Sequence, residues 1–535
     1  MNTSSSHSPP APASPWAPLG RPLFRALWIA TVVSNVGTWM HEVGAGWLMV
    51  TLTTDPLMVA LVQVATVLPV FFLALPAGAL ADILDRRRYL VGVQAWMLAC
   101  ALLLGITTLA GFTHAWLLLA LTFALGSGAA MMTPAWAATV PELVPRDELQ
   151  PAVALNSLGV NLARAIGPAL AGVVVAAAGP AAAFLFNAVS FLGVMTVLAR
   201  WKREPSSSTL PAERFFGAMR AGMRYVRQAH ALQSVMLRAV AFFLFANALW
   251  ALLPLIAKNQ AQGEAATYGA LLACIGAGAV GGALVMPRLR RTLQRDALVR
   301  GATVVYAAML VAVALLRDLL WLAPVMIVAG AMWLAVVSTF HVAAQTAVPG
   351  WVRARALSIY LVAFAAGMAG GAALWGAVAA RTGIAFALIS AAVGALLAAA
   401  ATWRYSLDTP DALAAAAAHW PAPQTHDDLE LAPDRGPVMV IVEYRIDPAQ
   451  AQAFGAAMRE LARVRRRDGA SSWGLFNDTA DPARYVEFFL VESWAEHLRQ
   501  HHRITRADQS LQERVRAFHV GSEPPRVSHL IAEIF

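Results

Sequence analysis

Charged residues are scarce in this 535-residue chain. Asp, Glu, Lys and Arg make up 13% of the residues, whereas 59% are hydrophobic, and the mean hydropathy is +0.59. This balance excludes an ordinary soluble globular protein. Cysteine is also nearly missing. Cys100 and Cys274 both fall in apolar runs, so the sequence predicts neither a disulfide framework nor a metal site.

Two further patterns are missing. No Walker A pattern occurs, so ATP-driven pumping is not supported, and no cofactor is indicated. No signal peptide is convincing, because the first apolar run, residues 23–52, is too long and lacks a clear cleavage site.

The net charge of +9 is spread in a way that argues against nucleic acid as a partner. Residues 437–535 contain 13 Arg and 13 acidic residues, so the excess belongs to the loops of the apolar part. Proteins that bind nucleic acid concentrate Lys and Arg on a folded face instead. Basic loops fit a lipid bilayer with anionic headgroups on its cytoplasmic side.

Twelve apolar segments follow one another along the chain. A helix that crosses ~30 Å of hydrocarbon needs roughly 20 mostly apolar residues. Since lipid offers no partners to the backbone, each segment must be a helix. The segments are residues 23–52, 56–81, 89–111, 114–140, 151–178, 181–201, 231–257, 266–287, 298–316, 319–346, 354–380 and 383–403.

The loops between these segments alternate sharply in charge. With the N-terminus in the cytoplasm, 22 Lys and Arg residues fall on the cytoplasmic side, and only Lys258, Arg317 and Arg381 fall on the other. This asymmetry follows the positive-inside rule. It predicts a multi-pass protein of the cell inner membrane with both termini in the cytoplasm.

The chain divides into six parts. We predict a disordered tail (1–20), a six-helix half (21–201), a cytoplasmic loop (202–230), a second six-helix half (231–404), a linker (405–436) and a cytoplasmic domain (437–535). The loop contains an amphipathic stretch, 213–227, that we expect to lie on the inner leaflet. The predicted fold class is an all-α polytopic membrane protein followed by an α+β domain.

The residue pattern changes from residue 437 onward, where the C-terminal domain begins. Alternating patterns predict strands at 438–446, 473–476, 483–491 and 527–534, and helical patterns lie at 448–467, 494–503 and 507–519. The order β-α-β-β-α-β is that of a ferredoxin-like fold. Both faces of the sheet are apolar, so we expect a homodimer through this domain.

A polar hairpin joins the second and third apolar segments. Residues 78–90 resemble the loop signature of the major facilitator superfamily, Gly-x-Leu-Ala-Asp-x-x-Gly-Arg-Lys/Arg-x-x-Leu. The resemblance implies a fold of six plus six helices and a conformational gate formed by Gly78, Asp82, Arg86 and Arg87. Asp85 departs from the signature, which usually has Gly there.

Charged and polar residues inside the apolar segments are functional candidates, because such residues are costly in the membrane. Glu42 could take a proton from outside, and a neighbouring Arg164 would couple that proton to cargo or form a structural ion pair with it. Arg164 could also hold helices together through backbone carbonyls. His341 and Gln345 share a face, but a satisfied buried histidine explains His341 equally well. The candidates for a proton and substrate pathway are Asn35, Thr38, His41, Glu42, Asn156, Asn161, Arg164, Asn247, His341 and Gln345.

The fifth apolar segment resembles the exporter-type helix motif of the superfamily at Gly159, Gly167, Pro168 and Gly172. The family's terminal Gly-Gly is incomplete, because Val173 replaces its second glycine. Segments 34–40, 47–48, 155–157 and 161–168 look like the transmembrane secretion effector and enterobactin-exporter-like branch. This resemblance covers about residues 20–404, and its motifs say little about which substrate is carried.

The C-terminal domain is similar to antibiotic-biosynthesis-monooxygenase-like modules, which form dimeric α/β barrels, and residues 494–502 match the segment after their third strand. Some of those modules are cofactor-free oxygenases and others bind haem. The residues show no catalytic constellation, which favours a dimerisation or regulatory module.

These observations predict a secondary transporter and not an enzyme, one that exports small amphipathic, siderophore-like or drug-like molecules against protons. An alternative is a membrane-tethered oxygenase-like enzyme that acts through the C-terminal domain. Another is a transporter-like sensor that binds ligand without moving it.

Overall fold

The computed structural model describes residues 14–201, 215–260, 263–349, 352–407, 435–501 and 505–533. Within the helices a few side chains, that of Asp82 among them, also lie outside the described part. The chain forms two compact units. The first contains Met1–Thr209, Arg238–Thr339 and Leu361–Arg404, and the second contains Leu210–Leu237, Phe340–Tyr360 and Tyr405–Phe535.

The N-terminal half consists of long helices joined by short turns. They are α1 (Pro22–Leu52), α2 (Pro56–Ile83), α3 (Arg86–Leu109), α4 (Ala115–Leu143) and α5 (Leu149–Arg200). The 52-residue helix α5 is interrupted at Gly179, whose φ of 77° lies in the left-handed region, and Pro180 follows it. Residues 149–178 and 180–200 are therefore two separate helical segments.

After the short helix α6 (Phe215–Gln228), the C-terminal half repeats this plan. Its helices are α7 (His230–Leu255), α8 (Ala265–Thr292), α9 (Arg295–Leu315), α10 (Leu319–Thr346), α11 (Arg353–Thr382) and α12 (Ile384–Ala401).

Ten of the described helices are long and apolar enough to cross a membrane. Nine of them correspond to one predicted segment each and α5 corresponds to two. The first predicted segment corresponds to the 31-residue helix α1, which is not one of the ten. The predicted all-α polytopic fold is confirmed.

Short polar residues fix several of the turns. Asp55 caps the start of α2 by accepting a hydrogen bond from the backbone N–H of Leu57. Asp85 caps α3 in the same way through the N–H of Arg88, at 2.9 Å. An N-terminal carboxylate satisfies an orphan donor and faces the positive end of the helix dipole. The aspartate that departs from the loop signature is therefore the N-cap of α3.

The C-terminal domain has strands β1 (Val438–Arg445), β2 (Ala470–Asn477), β3 (Arg484–Val491) and β4 (Arg526–Ile531). Helix α13 (Ala451–Arg467) connects β1 to β2, and α14 (Trp494–His501) and α15 (Arg506–Arg516) connect β3 to β4. The sheet is antiparallel with the order β2-β3-β1-β4. This is the predicted ferredoxin-like topology.

The two faces of this sheet differ in their surroundings. Alternate residues of β1 from Val438 to Tyr444 are buried beneath α13 and α15, where they contact Phe454 and Val515. The other face presents Met439 and Ile441, with their β3 partners, away from the helices. Apolar side chains are exposed on that face, so part of the domain's apolar surface remains uncovered.

Helix α6 confirms the predicted amphipathic helix, but the end of it that the structure describes packs against protein. Tyr225 is 2% exposed, and the guanidinium of Arg467 on α13 lies 5.7 Å from its ring centroid. Arg467 also donates to Asp508 on α15 at 2.7 Å. Burial raises the pKa of Tyr225 to about 12. The turn around Tyr225 therefore contacts the C-terminal domain, and the position of the helix on the inner leaflet stays a prediction.

Candidate functional site

Helices α1 and α5 approach closely because α5 carries glycines on the facing side. A Cβ on Gly159 would lie 2.8 Å from Val32, and one on Gly167 would lie 2.6 Å from the Cβ of Trp39. Trp28 donates its indole N–H to the carbonyl of Leu155 at 2.9 Å. Two glycines of the exporter-type motif thus serve helix packing, as small residues do in membrane bundles.

The third glycine of that motif packs across the two halves. A Cβ on Gly269 of α8 would lie 2.6 Å from the Cα of Gly172 and 2.8 Å from the carbonyl oxygen of Pro168. A Cβ on Gly276, two turns further along α8, would lie 3.1 Å from the carbonyl oxygen of Arg164. These are backbone contacts, so no side-chain rotation can relieve them.

Two further contacts join the halves near the same ends of the helices. Lys258 donates its ammonium to the carbonyl oxygen of Val50, at the end of α1, at 2.6 Å. A Cβ on Gly376 of α11 would lie 2.4 Å from the Cβ of Ala60 on α2. The two halves therefore contact each other at the end of the bundle that carries the turn 53–55.

A cavity of about 40 Å³ lies between α1, α2, α7 and α8. Its polar lining includes Glu42, Gln63 and Tyr268, and its aromatic walls include Trp39 and Trp250. The volume is enough for a few water molecules, and the polar groups would hold them. Glu42 is half-buried and faces this cavity.

Arg164 lies close to Glu42 without forming an ion pair with it. The two charges interact electrostatically, but within the described residues no nitrogen of Arg164 approaches a carboxylate oxygen to within 4.0 Å. The Arg164 guanidinium lies 5.9 Å from the ring centroid of Trp39, a cation–π distance. Trp39 contacts both the cavity and Arg164.

The other candidates on α1 have different surroundings. Thr38 donates its hydroxyl to the carbonyl of Ser34 at 3.0 Å, and Asn35 is half-buried. His41 is 2% exposed and lies against Phe184, at 4.8 Å between ring centroids. Within the described residues neither ring nitrogen of His41 has a hydrogen-bond partner. His41 therefore faces residues 180–200 of α5 and is not among the residues lining the cavity of Glu42.

The remaining candidates do not converge on Glu42. Asn156 is half-buried, and Asn161 is exposed and donates to the carbonyl of Ser157 at 2.8 Å. Asn247 is fully buried and donates to the carbonyl of Met368 at 2.7 Å, so it joins α7 to α11.

His341 and Gln345 belong to the second unit. A nitrogen of His341 lies 3.5 Å from the hydroxyl of Tyr360, and Gln345 is exposed. His341 is half-buried, and this contact gives its ring a partner on α11.

The hairpin after α2 joins the ends of two other helices. Arg86 pairs with Glu142 at the end of α4, with 2.5 Å between nitrogen and oxygen. Arg87 donates to the carbonyls of Leu198 and Ala199 at the end of α5, at 3.0 and 2.5 Å. A cation on those carbonyls complements the negative end of the helix dipole.

The other two residues predicted for this gate are less informative. A Cβ on Gly78 would meet nothing within 4 Å, so packing does not require a glycine there. The side chain of Asp82 lies outside the described residues.

Arg238 and Asp296 form a buried ion pair between α7 and α9 that the sequence analysis did not anticipate. A signal was available, because both are charged residues at the edge of long apolar segments. Gln63, Trp250 and Tyr268 were also missed, and their sequence neighbourhoods give no signal that they face Glu42.

The sequence model of the family described as "Transmembrane secretion effector" matches residues 13–534. That range includes the C-terminal domain.

Two curated proteins are similar to this chain. The staphyloferrin A transporter of Staphylococcus aureus is 26% identical over 263 residues, which cover 48% of this chain and 64% of that protein. The chain thus spans just under two thirds of this relative. The enterobactin exporter EntS of Salmonella typhi is 27% identical over 361 residues, 66% of this chain and 85% of that protein.

Solved structures share the fold at low identity. A bacterial homologue of the human lysosomal transporter Spinster, in an inward-facing and unoccupied conformation, gives a TM-score of 0.57 at 14% identity, over 72% of this chain and 96% of that one. The nucleoside transporter NupG, as a D323A mutant, gives 0.59 at 14% identity, over 72% and 99%.

Proposed function

Because the chain belongs to the transmembrane secretion effector family of major facilitator transporters, we propose that it exports small amphipathic molecules across the inner membrane in exchange for protons. The family and the named relatives are transporters, so the chain is a multi-pass membrane transporter and not an enzyme. The relatives that carry siderophores support siderophore-like cargo.

One observation carries the proposal, namely Glu42 in a cavity between the two halves. A carboxylate there can take or release a proton when the cavity opens to one side of the membrane. Arg164 is a cation near Glu42, so cargo that displaces Arg164 would change the charge around the carboxylate and with it the binding of its proton. Because Arg164 and Glu42 are not in direct contact, cargo can displace Arg164 without first breaking a tight ion pair.

The charge distribution of the loops supports export as the direction of transport and the inner membrane as the location. The basic ends of the helices face the cytoplasm in our assignment, which places the contact between Gly172 and Gly269 at the periplasmic end. A transporter closed at that end takes cargo from the cytoplasm. Cargo loading from inside is the first step of export.

Reconstituted vesicles test the coupling, with enterobactin and staphyloferrin A as probe cargo. We expect a pH gradient to drive transport of at least one of them in the parent protein. Glu42→Gln should abolish the dependence on the gradient, because the amide cannot exchange a proton. Glu264→Gln is the matched control, since Glu264 is exposed at the start of α8.

Three outcomes would contradict separate parts of the proposal. A Glu42→Gln protein that is still fully driven by the pH gradient would remove Glu42 from the coupling. Exchange of cargo by the parent protein that does not depend on the pH gradient would exclude proton coupling. The absence of transport of either probe would exclude siderophore-like cargo.

We also propose that the C-terminal domain forms a homodimer through the sheet face that lacks helices. Phe476 is 59% exposed and Leu530 is 50% exposed on that face. A second copy of the same face would cover both in a two-fold arrangement. Phe476→Asp should abolish cross-linking between full-length chains in detergent. The control Glu513→Gln, which changes an exposed polar residue, should leave cross-linking unchanged. Equal cross-linking in both variants would exclude this face.

A further inference from the structure

The C-terminal domain contains a carboxylate deep in its core. Glu487 of β3 has 0% exposure, and three side chains donate to it. They are the hydroxyl of Tyr444 at 3.1 Å, the Nε of Arg465 at 3.1 Å and the indole N–H of Trp473 at 3.0 Å. A buried carboxylate is tolerated only when it is paired and hydrogen-bonded in this way. The network fixes the position of each donor.

Arg465 is held on a second side by an aromatic ring. Its guanidinium carbon lies 4.6 Å from the ring centroid of Phe489, a cation–π contact. Burial and the nearby Glu487 raise the pKa of Tyr444 well above its usual value, so its hydroxyl stays a donor. The core thus presents a charged group with little conformational freedom.

A cavity of about 260 Å³ lies beside this network, between the sheet and helices α13 and α15. Its walls are mostly apolar, Tyr444 and Gln512 also line it, and Arg465 and Arg516 both reach it. The aliphatic wall residues are Val442, Leu461, Val515 and Val527.

The charges at the cavity do not balance. Glu487 offsets Arg465, whereas Arg516 is exposed and makes no ion pair within 4.0 Å in the described part of the chain. The cavity therefore carries an excess positive charge next to apolar walls. An occupant that matches both features is an anion with an apolar body. Pockets for drug-sized ligands measure about 300–1,000 Å³, so this one would take a smaller molecule.

We propose that this cavity binds a small carboxylate with an aromatic or branched aliphatic body, whose carboxylate is recognised by Arg465 and Arg516. A planar guanidinium matches the two oxygens of a carboxylate. The site lies wholly within the C-terminal domain and is independent of the transported cargo and of Glu42.

Binding is measured on the full-length protein in detergent by fluorine NMR of 4-fluorobenzoate. The neutral isostere 4-fluorobenzamide tests the charge, and inorganic phosphate as competitor tests whether an anion alone is enough. We expect the benzoate to bind at least about tenfold more tightly than the amide, since one charge-assisted contact accounts for that ratio. Phosphate should not displace it.

Three variants locate the site. Arg516→Gln should weaken binding by about tenfold, and it changes an exposed side chain, so the domain should fold normally. Val527→Trp should abolish binding by filling the cavity. Arg514→Gln is the matched control, because Arg514 lies on the same helix but is not among the residues that line the cavity, and it pairs with Glu460 at 2.8 Å.

The outcomes separate clearly. Unchanged affinity in both Arg516→Gln and Val527→Trp would place the benzoate elsewhere and overturn the proposal. Equal weakening in Arg514→Gln and Arg516→Gln would show a general charge effect and overturn it too. Equal binding of the benzoate and the amide, or no binding of the benzoate at millimolar concentration, would also refute it.

Discussion

The contact between Gly172 and Gly269 predicts how one end of the transporter closes. A methyl group on Gly269 would lie 2.6 Å from the Cα of Gly172 and 2.8 Å from the carbonyl oxygen of Pro168. Both neighbours are backbone atoms of α5, so the helices must move apart to admit it. We therefore expect Gly269→Ala to destabilise the closed end.

The size of the effect follows from the contact. Overpacking of this kind costs about 1–3 kcal/mol. If the cost falls only on the closed state, it shifts the equilibrium between closed and open ends by about 5- to 150-fold. Replacing glycine within a helix also gives back about 0.5–1 kcal/mol of intrinsic stability, in both states alike. Gly281→Ala is the matched control on α8, because a Cβ there meets nothing within 4 Å.

A cysteine at Gln63, which lines the cavity near Glu42, reports the opening. In a background without Cys100 and Cys274, a membrane-impermeant maleimide added to the periplasmic side should label it slowly. Gly269→Ala should raise the labelling rate, and Gly281→Ala should not. Thermal unfolding of the purified variants shows that each is folded.

Two results would refute the reasoning. The labelling rate of folded Gly269→Ala could equal that of the parent, which would mean that the contact does not hold this end closed. The rate could instead rise equally in Gly281→Ala, which would assign the effect to glycine replacement in general.

Three other changes give distinct outcomes. Asp82→Asn should slow cargo transport while leaving cargo binding largely intact, and an equal loss of both would exclude a gating role. Arg87→Gln should lower the thermal stability by about 1 kcal/mol or more, because it removes donors from two helix-terminal carbonyls, whereas exposed Arg88 should tolerate the same change. Glu487→Gln leaves buried Arg465 without its counter-charge, so the C-terminal domain should lose about 3–5 kcal/mol of unfolding free energy in chemical denaturation, against about 0–1 for exposed Glu460→Gln.

The helices could be predicted because hydrophobic length and backbone hydrogen bonding leave one solution in a membrane. The break within α5 was predictable for the same reason, since Gly179 and Pro180 separate two apolar runs that each suffice to cross. The strands of the C-terminal domain followed from alternation, and the register places Met439 opposite Leu490 and Ile441 opposite Phe488, all on the helix-free face.

Neighbouring positions on a helix show what the sequence could not supply. Glu42 and His41 are adjacent in the chain, so their side chains leave the helix about 100° apart. Glu42 faces α2, α7 and α8, whereas His41 faces residues 180–200 of α5. Periodicity tells which residues share a face, but only the packing of the other helices tells what each face meets. The partner of Asn247 could not be predicted for the same reason, because it is the carbonyl of Met368, 121 positions away.

Glu487 shows, for a single residue, what the sequence could predict and what it could not. Alternation in β3 places it on the same face as Tyr485 and Phe489, and a carboxylate on an otherwise apolar face demands a partner. That much follows from the sequence. Its three donors come from β1, α13 and β2, and they are 43, 22 and 14 positions away. The sheet order fixes which strands lie beside β3, so the network could be identified only once the order β2-β3-β1-β4 was known. The same holds for the cavity that Arg465 lines.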